Sequence, residues 1–296
     1  MRREEVFGYL LVAPLLLWLG ITLVYPFISA VALSFTNVGV IGAQSEFIGL
    51  ANYREVIVDP DFWGSLGRSG VWAVGNALVQ TVLGLATALV LNQPFRGRSV
   101  MRTWVILPWI IPTVVLVIIW RWLLSGGFGI GNYVLLKMGL VSKMVSFFGD
   151  PKVAIYAVIT INSWRWFPFI AIIILAGLQR IPRSEYEAAR VDGASATQQF
   201  RSITFPYLAP ILILMGLLGV LWSVNVFDVI WLSTQGGPST ATETLAVLIY
   251  DIGFKRLAMG ESSAIAVLFF LIMLIFSIVY VVAIFPKGMT GILRKE

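Results

Sequence analysis

Six long apolar blocks divide the chain, over residues 7–34, 69–92, 103–125, 153–178, 206–232 and 263–285. A bilayer core is crossed by about 20 apolar residues in helical form, and within it each backbone amide must be satisfied inside its own segment. Blocks of this length predict membrane-spanning helices, so the chain is expected to be an all-α integral membrane protein with about six transmembrane helices. Composition agrees, since 58% of the 296 residues are hydrophobic and 12% are charged, against about a quarter charged in soluble domains. The first block follows Arg2 and Arg3 as a secretory leader would, but it is longer than a leader's apolar region and lacks a small-x-small cleavage site. It reads as a retained helix.

Neither cysteine nor histidine occurs, which removes disulfides, thiolate nucleophiles, imidazole bases and the usual zinc or haem ligands. An intramembrane enzyme would also want paired carboxylates or a nucleophile beside its base, and the spans hold no such set, so no catalytic residue and no metal site are expected. The net charge of +6 is scattered between apolar spans and forms no basic face, which argues against nucleic acid as a partner.

Cytoplasmic loops of membrane proteins carry the excess of Lys and Arg. One alternating set of segments holds 12 such residues: Arg2, Arg3, Arg96, Arg98, Arg102, Arg180, Arg183, Arg190, Arg201, Lys287, Arg294 and Lys295. The other set holds 7: Arg54, Arg68, Lys137, Lys143, Lys152, Lys255 and Arg256. Both termini are therefore expected in the cytoplasm. The outside segments contain turn signals at residues 125–132 and 235–238 and have the length to fold against a partner.

Residues 179–206, between the fourth and fifth blocks, form the most polar stretch. Its first half predicts a short helix with Pro182 in the first turn, Ser184 as a cap, Glu185 and Glu187 near the positive end, and Gly193 as the stop. Residues 194–203 predict a second short helix closed off by Pro206. Glu187, Ala188 and Ala189 are followed after three residues by Gly193, then after nine more by Ile203 and, in an Ile-x-x-Pro arrangement, Pro206. Asp192 before the glycine and Ala194 after it fit the same pattern, which resembles the EAA loop of permeases from binding-protein-dependent ABC importers; Phe205 stands where that family usually has leucine. The resemblance implies a type I ABC importer permease fold, in which this cytoplasmic loop docks into a separate ATPase subunit. It gives Glu187, Ala188, Ala189, Asp192 and Gly193 the coupling role. Small alanines permit close approach, Gly193 permits a sharp bend and Glu187 can meet a cation on the partner.

Other stretches resemble carbohydrate-uptake permeases of the maltose and glycerol-phosphate type: residues 47–53 (FIGLANY), 107–112 (LPWIIP), 234–238 (TQGGP) and 242–245 (TETL), with Ile249 and Tyr250. This resemblance implies a bacterial or archaeal cytoplasmic (inner) membrane, a second homologous permease subunit, two ATPase subunits and an extracytoplasmic sugar-binding protein. The chain looks like the first of the permease pair, with a first helix and outer segment over residues 1–68, a permease core over 69–286 and a cytoplasmic tail over 287–296. Residues 126–131 (GGFGIG) are not followed by the Lys and Ser or Thr of a phosphate-binding loop, so ATP and Mg are expected on the partner ATPase and no cofactor in this chain.

Sugars bind by stacking on aromatics while amides and hydroxyls meet their hydroxyl groups in a concave site. Polar and aromatic residues inside the spans are the candidates: Asn162, Trp164, Arg165 and Trp166 on the fourth, and Trp222, Ser223, Asn225 and Asp228 on the fifth. Asp228 and Arg165 are natural partners, since an ionisable group facing lipid costs several kcal/mol. The resemblance to the maltose-type permeases places Trp109, Thr113, Asn162, Trp164, Trp166, Phe169, Trp222 and Ser223 around the sugar, with Trp166 where the maltose subunit has a small residue. Such residues also form interfacial belts and bond helices together, and Asn76 and Gln80, four apart on the second block, share a face that could line the pathway or bond a neighbouring helix, the helix contact being the expectation. Pro108, Pro112 and Pro168 are expected to break or kink their spans. The alternative function is an ion-coupled secondary transporter using Asp228 as its coupling carboxylate.

Overall fold

A computed structural model describes residues 3–39 and 46–284, and these are helical apart from connecting turns and one antiparallel bridge between Thr36 and Phe47. In chain order the helices are α1 (Arg3–Leu19), α2 (Tyr25–Leu33), α3 (Ala51–Val58), α4 (Pro60–Asn92), α5 (Arg98–Ile110), α6 (Thr113–Leu123), α7 (Ile130–Lys137), α8 (Ala154–Gln179), α9 (Arg183–Val191), α10 (Ala196–Gln199), α11 (Phe205–Val224), α12 (Asp228–Thr234), α13 (Leu245–Tyr250) and α14 (Met259–Ile284). The π-helical turns Gly20–Val24 and Phe200–Thr204 join α1 to α2 and α10 to α11. Arg2, Lys287, Arg294, Lys295 and the expected tail over 287–296 lie outside the described residues.

Among the described residues, five continuous helices are long and apolar enough to cross a bilayer: Tyr9–Leu33, Pro60–Asn92, Ala154–Gln179, Ala196–Val224 and Met259–Ile284. The block at 103–125 is not one straight span. It is divided between α5 and α6, which meet at 95°. Pro112 has no amide hydrogen and pushes the residue before it out of the helical region, and Ile111 is accordingly extended at φ −66°, ψ 128°. Pro108 and Pro168, by contrast, sit inside α5 and α8, which run on through them.

The second span is longer than its apolar block, beginning at Pro60, with the Asp59 carboxylate accepting from the Asp61 amide at 2.9 Å. Arg68, expected in a loop, is therefore helical. The fifth block does not run unbroken from 206 to 232. It ends at Val224, where the Asn225 side chain donates to the Leu221 carbonyl at 2.8 Å and the Val226 amide bonds Ser223. A side chain that takes a helix carbonyl competes with continued helix, and Asp228 consequently opens the separate helix α12.

The chain comprises two compact units, Met1–Gly64 with Leu248–Phe276 and Ser65–Val247 with Ser277–Glu296. In the first, Asn52 Nδ2 donates to the carbonyls of Ser34 and Thr36, both at 2.9 Å. Phe27 meets Phe270 edge to face at 5.1 Å between centroids. In the second, one apolar cluster gathers Trp72, Leu116, Val117, Val158, Ile161, Val229 and Ile230, and another gathers Ala88, Leu91, Ile170, Ile174, Leu178 and Leu208. Between helices in lipid, apolar burial gives no drive of its own, and close packing and hydrogen bonds hold the bundle. Gly84 serves the packing: a Cβ there would lie 2.9 Å from Ile170 Cγ2 and 3.2 Å from the Ala171 amide nitrogen. Trp72 serves the bonding, its Nε1 donating to the Ser223 carbonyl at 2.7 Å.

Candidate functional site

A cavity of about 440 Å3 opens in the second unit, lined by Gln80, Trp109, Asn162, Trp166, Phe169, Ile170, Gly219, Trp222, Ser223, Asn225 and Val226. The volume falls within the range of small-molecule sites. The aromatic side centres on Phe169, whose ring lies 6.0 Å from Trp109, 6.3 Å from Trp166 and 5.8 Å from Trp222. The break after Val224 brings Asn225 and Val226 round to the same wall.

Asn162 is 1% exposed. Its Nδ2 donates to Asn76 Oδ1 at 2.8 Å, while its own Oδ1 has no partner. A buried acceptor without a donor costs about 1–3 kcal/mol. Asn76 thus makes the helix contact expected of it, whereas Gln80 lines the cavity as well as donating to Asn76.

Of the sequence-derived pocket residues, Trp109, Asn162, Trp166, Phe169, Trp222, Ser223 and Asn225 come together in this cavity. Thr113, Trp164 and Asp228 do not line it. Thr113 opens α6 beyond the bend, and Trp164 points into the apolar cluster, edge to face with Trp120 at 5.7 Å. Asp228 begins α12 with its side chain 51% exposed, 3.7 Å from Arg165. Adjacent residues on α8 cannot all face one side, which separates Trp164 and Arg165 from Trp166. Ile170, Gly219 and Val226 were not singled out, and Gln80 was expected to serve a helix contact. Gln80 carried a usable signal in its spacing from Asn76, whereas a glycine or aliphatic residue in an apolar span carries none.

The polar stretch 179–206 forms an exposed knob. Helix α9 lies behind Pro182 without a side-chain cap, so Ser184 does not cap it. It stops at Val191, and Gly193 takes the left-handed conformation at φ 79°. Glu187 and Ala188 are exposed, and Val191 is 89% exposed. Tyr186 anchors the knob, its hydroxyl 2.9 Å from Thr204 Oγ1. The second short helix is not closed off by Pro206. Ser195 caps α10 through a reciprocal pair with Gln198 (3.3 and 2.7 Å), and the chain then continues through the π-turn into α11. The wider turn places an extra residue ahead of the proline, whose missing amide hydrogen is tolerated at the start of α11.

The segment after α12, read as an outer turn, buries Gly236, Thr242 and Thr244 while Gln235, Ser239 and Thr240 stay exposed. Thr234 and Thr242 hydroxyls lie 2.6 Å apart, and Thr242 donates to the Gly237 carbonyl at 2.8 Å. Glu243 accepts from Ser65 Oγ at 3.0 Å and pairs with Arg68 at 3.3 Å.

Residues 80–291 match the family described as binding-protein-dependent transport system inner membrane component. The chain is 34% identical over 278 residues to the trehalose/maltose transport system permease protein MalF of Thermococcus litoralis, covering 94% of this chain and 93% of that one. It is also 34% identical over 278 residues to the sulfoquinovosyl glycerol transport system permease protein SmoG of Agrobacterium fabrum, covering 94% and 90%. Among solved structures, a bacterial ABC transporter involved in the import of the acidic polysaccharide alginate superposes with a TM-score of 0.80 over 94% of each chain, at 22% identity.

Proposed function

This chain belongs to the family of binding-protein-dependent transport system inner membrane components, and from that membership we propose that it carries a carbohydrate across the membrane by alternating access, driven by a separate ATPase. It is a multi-pass membrane transport subunit. The observation that carries the sugar reading is the cavity itself, with four aromatic side chains set against Asn162, Gln80, Ser223 and Asn225. Flat aromatic faces suit the apolar faces of sugar rings, and amides and hydroxyls suit their rims. The cargoes in the relatives' names, trehalose or maltose and sulfoquinovosyl glycerol, are carbohydrates as well.

In this reading the partners are a second permease subunit, two ATPase subunits that hold ATP and Mg, and an external sugar-binding protein. Both termini lie in the cytoplasm, and the knob bearing Glu187, Ala188, Ala189, Asp192 and Gly193 docks on the ATPase. The exposure of the knob supports this. No observation favours an ion-coupled carrier, which would call for a sequestered Asp228. That carboxylate is half exposed and faces Arg165.

The test is to purify the tagged chain from its native membrane, identify what accompanies it and measure sugar-stimulated ATP hydrolysis. A second permease, an ATPase and a sugar-binding protein should co-purify. Glu187→Arg should reduce sugar uptake and stimulated ATPase activity about tenfold or more, by placing a cation where one is to be received. Unchanged activity in that variant would remove the coupling role, and a lone active chain would remove the whole reading.

A further inference from the structure

The first turn of α5 runs against the rules by which helices begin. A helix N-terminus is electropositive and favours acidic or capping side chains. Here Gly97, at φ 86°, has no side chain to cap with, the turn holds no acidic residue, and Arg98 is its first member. Arg102 follows four residues on, a spacing at which like charges repel. Among the described residues neither arginine forms an ion pair. Arg98 Nε and Arg102 Nε and Nη2 lie out of water without an acceptor. The uncapped helix end, the paired charges and the orphaned donors all call for an anion.

A cleft of about 630 Å3 lies beside this turn, where Asn92, Gln179, Arg183 and Arg190 join Arg98 in the lining. Glu187 lines it too, yet pairs with none of these arginines. The cleft shares no residue with the aromatic cavity. The spans Pro60–Asn92 and Ala154–Gln179 both end at it, which sets it at headgroup depth on the side of the knob. Basic pockets between helices at that depth receive anionic headgroups. On α5 itself, Val100, Met101 and Trp104 are exposed, an apolar strip for acyl chains that includes a tryptophan of the kind enriched at membrane interfaces. We propose that this cleft binds the phosphate of an acidic phospholipid, held by Arg98, Arg183 and Arg190, with Arg102 adding its charge. Free phosphate offers the same anionic oxygens but makes no use of the apolar strip. The proposal does not depend on which cargo is carried.

The experiment titrates the intact complex, in mild detergent, with phosphatidylglycerol or phosphatidylcholine and counts bound lipids by native mass spectrometry. Both lipids carry a phosphate, but only phosphatidylglycerol is a net anion. Its first molecule should bind about tenfold or more tightly than phosphatidylcholine, since each Lys or Arg near an anionic lipid is worth about fivefold. Replacing both Arg98→Gln and Arg102→Gln should remove most of that preference and leave phosphatidylcholine binding unchanged. Arg98→Lys, which keeps the charge, should retain most of it. Arg54→Gln, at an exposed position on α3 outside the cleft, should stay within about twofold of the unsubstituted complex, because it removes a charge remote from the bound lipid. Equal binding of the two lipids by the unsubstituted complex would overturn the proposal without any variant, as would a full preference in the double variant. Displacement of phosphatidylglycerol by millimolar inorganic phosphate would show a site for free anions and overturn the lipid assignment.

Discussion

Single side chains here divide between those that line the cavity and those that hold it in shape. Trp164 and Trp166 are two apart on α8, yet Trp166 lines the cavity while Trp164 packs on Trp120. Trp164→Ala should lower thermal stability by about 2–3 kcal/mol, somewhat below the range for fully buried aromatics, and leave sugar affinity of the folded complex within twofold. Scanning fluorimetry and calorimetry on one preparation would separate the two effects. Much of the cavity was legible in the sequence because amides and clustered tryptophans inside apolar spans are conspicuous. What was not legible was direction. Residues 162 to 166 cover more than one turn of helix, and only packing tells which of them face inward. The Arg68–Glu243 pair was equally hidden, since its members stand 175 residues apart and one was assigned to a loop.

Helices and their ends were easier to read than their breaks. Apolar length located every span, but the 95° bend at Pro112 and the stop at Val224 depend on local competition for backbone hydrogen bonds, which hydrophobicity does not report. Gly84 shows what close approach requires at this scale. Gly84→Val would drive a branched side chain into Ile170 and the backbone at Ala171. It should cost about 1–3 kcal/mol by overpacking, seen as a lower yield of folded complex in detergent, whereas a change at exposed Val90 should have little effect. The π-helical turn Asp251–Lys255 responds to acid. Burial pushes the Asp251 carboxyl up, but bonds and charges from Lys255 and Arg256, both 3.0 Å away, outweigh this and hold it below its ordinary value of 3.8. A carboxyl lowered on folding contributes stability that is present above its ordinary value and lost as pH falls through its folded one. The unsubstituted protein should therefore lose stability faster than Asp251→Asn on acidification below that value, by at most about 1 kcal/mol for so exposed a pair. Melting temperature against pH is the measurement.

At the scale of the molecule the bilayer is a structural partner. The span Tyr9–Leu33 buries none of its residues within the protein, so lipid or another subunit must cover Tyr9, Leu16 and Trp18. Ile21→Arg, near the middle of that span and 58% exposed, should raise the cost of membrane insertion by about 2.5–3.5 kcal/mol, read as the fraction of chains integrated in a glycosylation-mapping assay.

The helix that leaves the knob carries a mechanical consequence. Ala196–Val224 is a single run of 29 residues, about 40 Å long at 1.5 Å per residue. Its foot is set by the cap at Ser195, and its far end bears Trp222 and Ser223 in the cavity wall. A rod of that length needs no hinge to act as a lever: tilting it by about 5° about its foot sweeps its tip through about 4 Å, enough to take a tryptophan out of ring-stacking distance. A tilt imposed at the knob would thus reach the cavity wall as displacement, with the stiffness of a helix as the only transmission required.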